Sequence, residues 1–144
     1  TNILTTYGRP IVLAITPSEV VTRGGVNISI TGSDFGASIN DVDRVRVGTR
    51  ECLQVSYVAS NQLICTTPPG VGRLNRVYVR TIGLLESTNA VHLSYSPPTI
   101  LTTSPSHLLT GPLLTYSFNI TGLNLASSLD SPAAGDVSIA GRSC

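Results

Sequence analysis

The segment GVNISITG, Gly25 to Gly32, sets Val26, Ile28 and Ile30 against Asn27, Ser29 and Thr31. Strict alternation of this kind is the signature of a strand with one face in a core and the other in solvent. The device recurs along the chain. DRVRVG, Asp43 to Gly48, turns Val45 and Val47 inward and Arg44 and Arg46 outward; RVYVR, Arg76 to Arg80, turns Val77 and Val79 inward. AVHLSY, Ala90 to Tyr95, places Val91, Leu93 and Tyr95 on one face, and IVLAIT, Ile11 to Thr16, reads as a strand stopped by Pro17. No stretch carries a helical period of useful length, and Gly, Pro, Asn and Asp punctuate the gaps. The pattern predicts an all-β chain folded as a β-sandwich.

Composition agrees. Of 144 residues, 41% are hydrophobic and only 12% charged; 13 are Gly, 9 are Pro, and Lys, Met and Trp are absent. A net charge of +1 gives no electrostatic reason to expect a nucleic acid. The longest apolar run, Ile11 to Ile15, falls far short of the roughly 20 residues of a membrane-spanning helix, which predicts no membrane insertion in this segment. The opening residues TNILTTYGRP have none of the features of a signal peptide, so both ends read as cut from something longer.

The cysteines sharpen this reading. In CLQVSYVASNQLIC, a hairpin turning at Val58 and Ala59 would place Gln54 opposite Leu63 and Cys52 opposite Cys65. Opposed β-carbons lie about 5 Å apart, close to what a disulfide needs. The rival is a pair of reduced, buried cysteines in a cytosolic protein. Cys144 is left unpaired in this segment.

The chain also repeats itself. Residues from Thr1 lie over residues from Thr88, with Tyr7 over Tyr95 and Pro17 over Pro105, each 88 residues apart. ISITG ending at Gly32 matches FNITG ending at Gly122, and VRVGTREC ending at Cys52 matches VSIAGRSC ending at Cys144. The repeat divides the chain into three parts: residues 1–8 as the last strand or linker of a preceding repeat, residues 9–96 as a complete domain, and residues 97–144 as the first half of another. Cys144 then stands where Cys52 stands, and its partner is expected about 13 residues further on, at the spacing of Cys52 from Cys65.

PIVLAITPSEVVTRGGVNISITGSDFG, VRVGTREC, LICTTPPGVG, VYVRTIG and VHLSYSPP occur in an order and spacing that resemble the IPT/TIG family. This is the immunoglobulin-like module of plexins and other cell-surface proteins. The resemblance implies an immunoglobulin-like β-sandwich of IPT/TIG type, here in tandem array, and a fold with no active site. The last part departs from the pattern, with TGPLL in place of the paired glycines and GLNLA in place of GSDFG.

Candidate chemistry is sparse. DFG, Asp34 to Gly36, lacks every other kinase element and reads as a turn, with Gly32 and Gly36 supplying permissive backbone and Phe35 covering the sandwich end. His92 and His107 have no catalytic context. Asn40, Asp41 and Asp43 lack the glutamate and glycine of a Ca²⁺ loop. No catalytic residue, cofactor or metal site is expected. Two N-glycosylation sequons, Asn27 in NIS and Asn119 in NIT, fall at outward positions of the same strand in successive repeats, so covalent glycans are expected. Ser-Pro and Thr-Pro pairs at Thr16, Ser96, Ser104 and Ser131 permit O-linked sugar but equally make turns. Arg44, Arg46, Arg76, Tyr78 and Arg80 compose a basic outer face that either takes a polyanion or protein partner or serves as an ordinary solvated sheet face.

These features predict a non-enzymatic, glycosylated, extracellular or cell-surface segment of a rod, stalk or fibril. Its expected partners are neighbouring repeats of the same protein or identical chains in a filament. The alternative is a ligand-binding or adhesion ectodomain of a plexin-like receptor, with a glycan or protein ligand.

Overall fold

In the computed structural model, residues 8–83, 85–106 and 117–125 are described, together with the backbone of 138–139 and 142–143. Residues 1–7, His107, Ser131 and Cys144 lie outside the described residues. The strands are β1 (Ile11–Thr16), β2 (Glu19–Val20), β3 (Asn27–Ser33), β4 (Val42–Val47), β5 (Arg50–Glu51), β6 (Gln54–Ala59) and β7 (Gln62–Thr66). They continue as β8 (Asn75–Thr81), β9 (His92–Tyr95), β10 (Thr99–Ser104), β11 (Asn119–Leu123), β12 (Ser138–Ile139) and β13 (Arg142–Ser143). Among the described residues there is no α-helix, only a 3-10 turn at Ile39–Asp41.

Two sheets face each other. One has the order β1-β3-β7-β6 and the other β2-β9-β8-β4-β5. Every pairing is antiparallel except the short parallel contact of β2 with β9. The core forms where the inward positions of the two sheets meet. Ile28, Ile30, Leu63 and Cys65 come from the first sheet, and Val45, Val47, Val77, Val79 and Leu93 from the second; all are buried. Each fully buried aliphatic side chain of this kind stabilises the fold by about 1.5–3 kcal/mol. The outward partners Asn27, Thr31 and Arg44 are exposed, as the alternation requires.

β1 does not alternate, and a bulge explains why. Val12 pairs with Gly32 but Ala14 with Thr31, so Leu13 is the extra residue. Leu13 swings into solvent while both Val12 and Ile15 stay buried. The bulge crowds the partner strand: a Cβ on Gly32 would stand 1.9 Å from the Ile11 carbonyl oxygen and 2.5 Å from Phe35 Cζ. Gly32 is thus needed for close approach rather than for an unusual φ. The turn beyond it does use left-handed backbone, at Asp34 (φ 60°) and Gly36 (φ 97°), and it drops Phe35 fully buried into the end of the sandwich. The Phe35 N–H donates to the Ser60 carbonyl and the Tyr57 hydroxyl to the Gly36 carbonyl, each at 3.0 Å.

The expected hairpin register between Cys52 and Cys65 is corrected. β6 pairs β7 with Gln54 opposite Thr66, Val55 opposite Cys65 and Tyr57 opposite Leu63, and the turn falls at Ser60–Asn61 rather than at Val58–Ala59. A bulge between Tyr57 and Ala59 absorbs the odd residue. Cys52 is not on this ladder. It follows β5, and its N–H donates to Val45 of β4.

The hairpins downstream repeat earlier registers. β10 pairs β11 with Thr99 opposite Leu123, then Ser104 opposite Asn119, with a slip between Ile100 and Thr102. This is the β1–β3 register, in which Ile11 faces Ser33, Thr16 faces Ser29 and the slip follows Val12. Gly122 stands in for Gly32, its Cβ position 2.1 Å from the Thr99 carbonyl oxygen. Ser138 faces Ser143 and Ile139 faces Arg142 across β12 and β13, as Arg46 faces Glu51 and Val47 faces Arg50 across β4 and β5.

Candidate functional site: disulfide and outer sheet faces

Cys52 and Cys65 are bonded, with Cα atoms 5.7 Å apart. Because Cys52 sits where the chain leaves the second sheet and Cys65 points inward from β7, the bond joins the two sheets across the core rather than bracing one hairpin. The Leu53 N–H then donates to the Thr66 carbonyl at 2.9 Å, which completes the crossing.

The five residues expected on the basic outer face do come together. β4 pairs β8 with Arg44 opposite Arg80 and Arg46 opposite Tyr78. The Arg46 and Arg76 guanidinium carbons lie 4.9 and 4.7 Å from the Tyr78 ring centroid, the first from the paired strand β4 and the second from β8 itself, and both are within cation–π range. Three carboxylates interleave with the arginines. Asp43 reaches Arg44 at 3.2 Å and Arg80 at 3.0 Å, Glu51 reaches Arg44 at 3.0 Å, and Glu86 binds Arg46. Arg76 donates to the backbone carbonyls of Thr88 and Asn89. Every guanidinium of the group therefore faces a carboxylate or carbonyl oxygen, although Arg46 Nε and Arg80 Nε are buried without a hydrogen bond, and the face carries alternating sign rather than a field of one sign.

Asp43 and Glu51 adjoin arginines in sequence, so an alternating-charge reading would have found them. Glu86 lies in a loop that folds back to bridge Arg80, and no local pattern marks it.

The outer face of the first sheet is different. Asn27, Ser29 and Thr31 of β3, Gln62, Ile64 and Thr66 of β7, and Gln54, Ser56 and Val58 of β6 carry no charge. Asn27 is exposed, and its Oδ1 accepts from Thr66 Oγ1 at 2.7 Å. Gln62 Nε2 donates to Ser29 Oγ at 3.0 Å. Asn119 is likewise exposed, at the position in β11 that Ser29 holds in β3.

Other candidates are occupied by structure. The Asp41 carboxylate accepts from the N–H groups of Ala37 at 2.7 Å and Ser38 at 3.0 Å, capping the 3-10 turn, and Asp43 is held by arginines. Among the described residues no group of three or more His, Cys, Asp or Glu side chains could hold a metal ion. His92 sits on the outer side of β9, opposite Arg76. No helix among the described residues is long and apolar enough to cross a membrane.

Sequence reasoning gave Tyr95 an inward direction but no partner. Its hydroxyl donates to the Pro68 carbonyl at 2.8 Å in a buried contact, and its ring lies where a Cβ on Gly70 would be, 2.5 Å away. Burial pushes the phenol pKa up, with Arg50 pulling weakly in the other direction. Asn89 was also missed: its Oδ1 accepts from the Val12 N–H at 3.0 Å, at the bulge of β1.

A family model described as IPT/TIG domain matches residues 10–97. The full extracellular region of plexin A4 is 22% identical over 83% of this chain and 11% of its own, with a TM-score of 0.54. An auxiliary nutrient binding protein from Bacteroides ovatus ATCC 8483 is 22% identical over 66% of this chain and 23% of its own, with a TM-score of 0.52. The chain thus spans less than a quarter of the length of either solved structure, and the likeness to them is one of fold.

Proposed function

The chain belongs to the IPT/TIG family of non-catalytic immunoglobulin-like domains, and from that premise we propose that it is a structural segment of an extracellular tandem-repeat protein, a rod, stalk or fibril built from such domains. Residues 9–96 are one domain of the array, residues 1–8 belong to its predecessor or the linker, and residues 97–144 open its successor. The observation that carries this reading is the recurrence of the β1–β3 register, bulge included, in β10–β11. A local resemblance of sequence need not preserve a slip in pairing; a second copy of the same sandwich must.

The linker supports the rod form. Tyr95 closes the last strand of one unit, and Ser96, Pro97 and Pro98 lead into β10 at Thr99, a joint with almost no slack and two fixed φ angles. An extracellular setting is supported by the disulfide, with N-linked glycans at Asn27 and Asn119 and the expected partner of Cys144 supplied by the continuing domain. No enzymatic activity, cofactor or nucleic-acid partner belongs to this reading. Its partners are neighbouring repeats, or identical chains where the array forms a filament. Small-angle scattering of the full-length polypeptide tests it. An elongated particle whose maximum dimension grows in proportion to the number of repeats is expected, and a globular particle would refute the rod.

The second reading, an adhesion or ligand-binding ectodomain, rests on the Arg46–Tyr78–Arg76 cluster, which offers a protein or anionic glycan both cation and aromatic surface. Retention on a heparin column that Arg46→Ala with Arg76→Ala leaves unchanged would remove the polyanion form of this idea.

A further inference from the structure

Two surface grooves lie at the two ends of the complete domain. One, of about 280 Å³, is walled on one side by the turn Val71–Arg73 and Tyr95, and on the other by Pro97, Pro98 and the end of β11 at Asn124 and Leu125. It is the joint between the complete domain and the hairpin that follows. Asn124 Nδ2 donates to the Pro97 carbonyl at 3.4 Å across the foot of that hairpin. The other groove, of about 430 Å³, is lined by Gly8, Ser33, Asp34, Gly36 and Ala37 with the β6–β7 turn at Ser60–Asn61.

The matched registers relate the two. When β1–β3 is laid on β10–β11, Ser33 falls on Leu123, Asp34 on Asn124 and Gly8 on Ser96. The backbone agrees, since Asp34 and Asn124 share the left-handed conformation at φ 60° and 56°. The Asp34 groove is therefore built from the same part of the fold that, downstream, packs against Tyr95 and the Val71–Arg73 turn.

The chemistry differs at one atom. The Asn124 amide has its own donor and closes onto the Pro97 carbonyl within its hairpin. The Asp34 carboxylate can only accept. Its Oδ2 takes Ser33 Oγ at 3.1 Å, and the rest of this exposed group has lone pairs for a donor brought from outside. In the downstream joint, the exposed cation on the opposing wall is Arg73.

We propose that the Asp34 groove is the docking surface for another IPT/TIG domain of the same polypeptide, lying N-terminal to residue 8. That domain seats there its counterpart of the Val71–Arg73 turn, with a cationic or N–H donor side chain facing Asp34. Its last tyrosine is Tyr7, which precedes Gly8-Arg9-Pro10 as Tyr95 precedes Ser96-Pro97-Pro98. This inference rests on the tandem-array reading and adds that the joint is a specific, charge-matched contact rather than a passive tether.

The test uses the full-length polypeptide carrying Ala37→Cys and a cysteine at the residue of the preceding domain that aligns with Val71. Oxidative cross-linking across the joint is expected to be efficient, reduced about threefold in Asp34→Asn, which removes the charge, and reduced about tenfold in Asp34→Arg, where a cation meets a cation. Asn61→Arg supplies a second disruptive variant at an exposed position, with thermal unfolding as the check that each variant is folded. Cross-linking equally efficient in Asp34→Arg and Asn61→Arg, or inefficient in the parent protein, overturns the docking contact while leaving a tandem array intact. Electron microscopy finding no sandwich domain N-terminal to residue 8 overturns the array reading and this inference with it.

Discussion

Cys65, fully buried on β7, is bonded to Cys52 at the point where the chain passes from one sheet to the other, so a single covalent link ties both layers of the sandwich. Its removal releases a loop with a sequence separation of 13 and lowers unfolding free energy by about 3 kcal/mol on the chain-entropy model. Denaturant titration of the Cys52→Ala, Cys65→Ala double variant is expected to give that loss. Cys65→Ser should cost more than Cys65→Ala, because the hydroxyl is added to a dry site.

Gly32→Ala is expected to be among the most damaging single changes, at about 3 kcal/mol or more, since the new methyl meets backbone at Ile11 and the buried Phe35 ring. Gly25→Ala is the contrast. Its Cβ meets nothing within 4 Å, and only the φ of 76° opposes it, at a cost of about 1 kcal/mol. Thermal unfolding of the two variants side by side measures the difference.

The alternating strands were legible from the sequence because Val45, Val47, Val77, Val79 and Leu93 keep a strict period of two against one core. The β1 and β6 details were not. A bulge shifts a register by one residue without changing composition, so Leu13 could not be told from its neighbours. In β6 the larger displacement comes from the turn, which sits two residues beyond Val58–Ala59, so that Val55 rather than Cys52 lies opposite Cys65. The pairing of Cys52 with Cys65 holds, but the hairpin geometry it was read from does not: the cysteines meet through the crossing between the sheets. The arginine face was legible as a set of positions on β4 and β8, but the partner of Arg46 was not, because Glu86 reaches it from the loop after β8, 40 residues away in sequence.

Tyr95→Phe is expected to destabilise the fold by about 1–3 kcal/mol by leaving the Pro68 carbonyl without its buried donor. The parent protein should also weaken in alkali. With the folded phenol pKa raised by burial, the unfolded chain sheds its proton first. Stability is therefore level below the ordinary phenol pKa of about 10 and falls as pH rises from there through the folded value. Denaturant midpoints across the alkaline range should show this decline in the parent and less of it in the Phe variant.

On the outer face, Glu86→Gln should cost about 1 kcal/mol, because Glu86 and Arg46 have side chains only 35% and 29% exposed. Glu51→Gln, at a carboxylate 59% exposed, should cost less than about 0.5 kcal/mol. Repeating both titrations in about 1 M salt, where the Debye length is roughly 3 Å, should narrow the gap.

If the sequons are used, the chain secreted from a eukaryotic host loses mass on N-glycosidase treatment. Asn27→Gln and Asn119→Gln should each remove one glycan increment in mass spectrometry. Ser29→Ala should abolish the Asn27 increment without altering that asparagine.

The parallel pairing of β2 with β9 has a mechanical consequence. The Ser94 N–H in β9 and the Ser96 N–H just beyond it donate to the carbonyls of Ser18 and Val20 at 2.9 and 2.8 Å, so the segments near the two ends of the complete domain run side by side in one direction. Tension applied at the two ends pulls β2 backward and β9 forward. The hydrogen bonds between them are then loaded together in shear and cannot be peeled one after another, which makes this short ladder the clamp that resists the pull once β1 is drawn from β3.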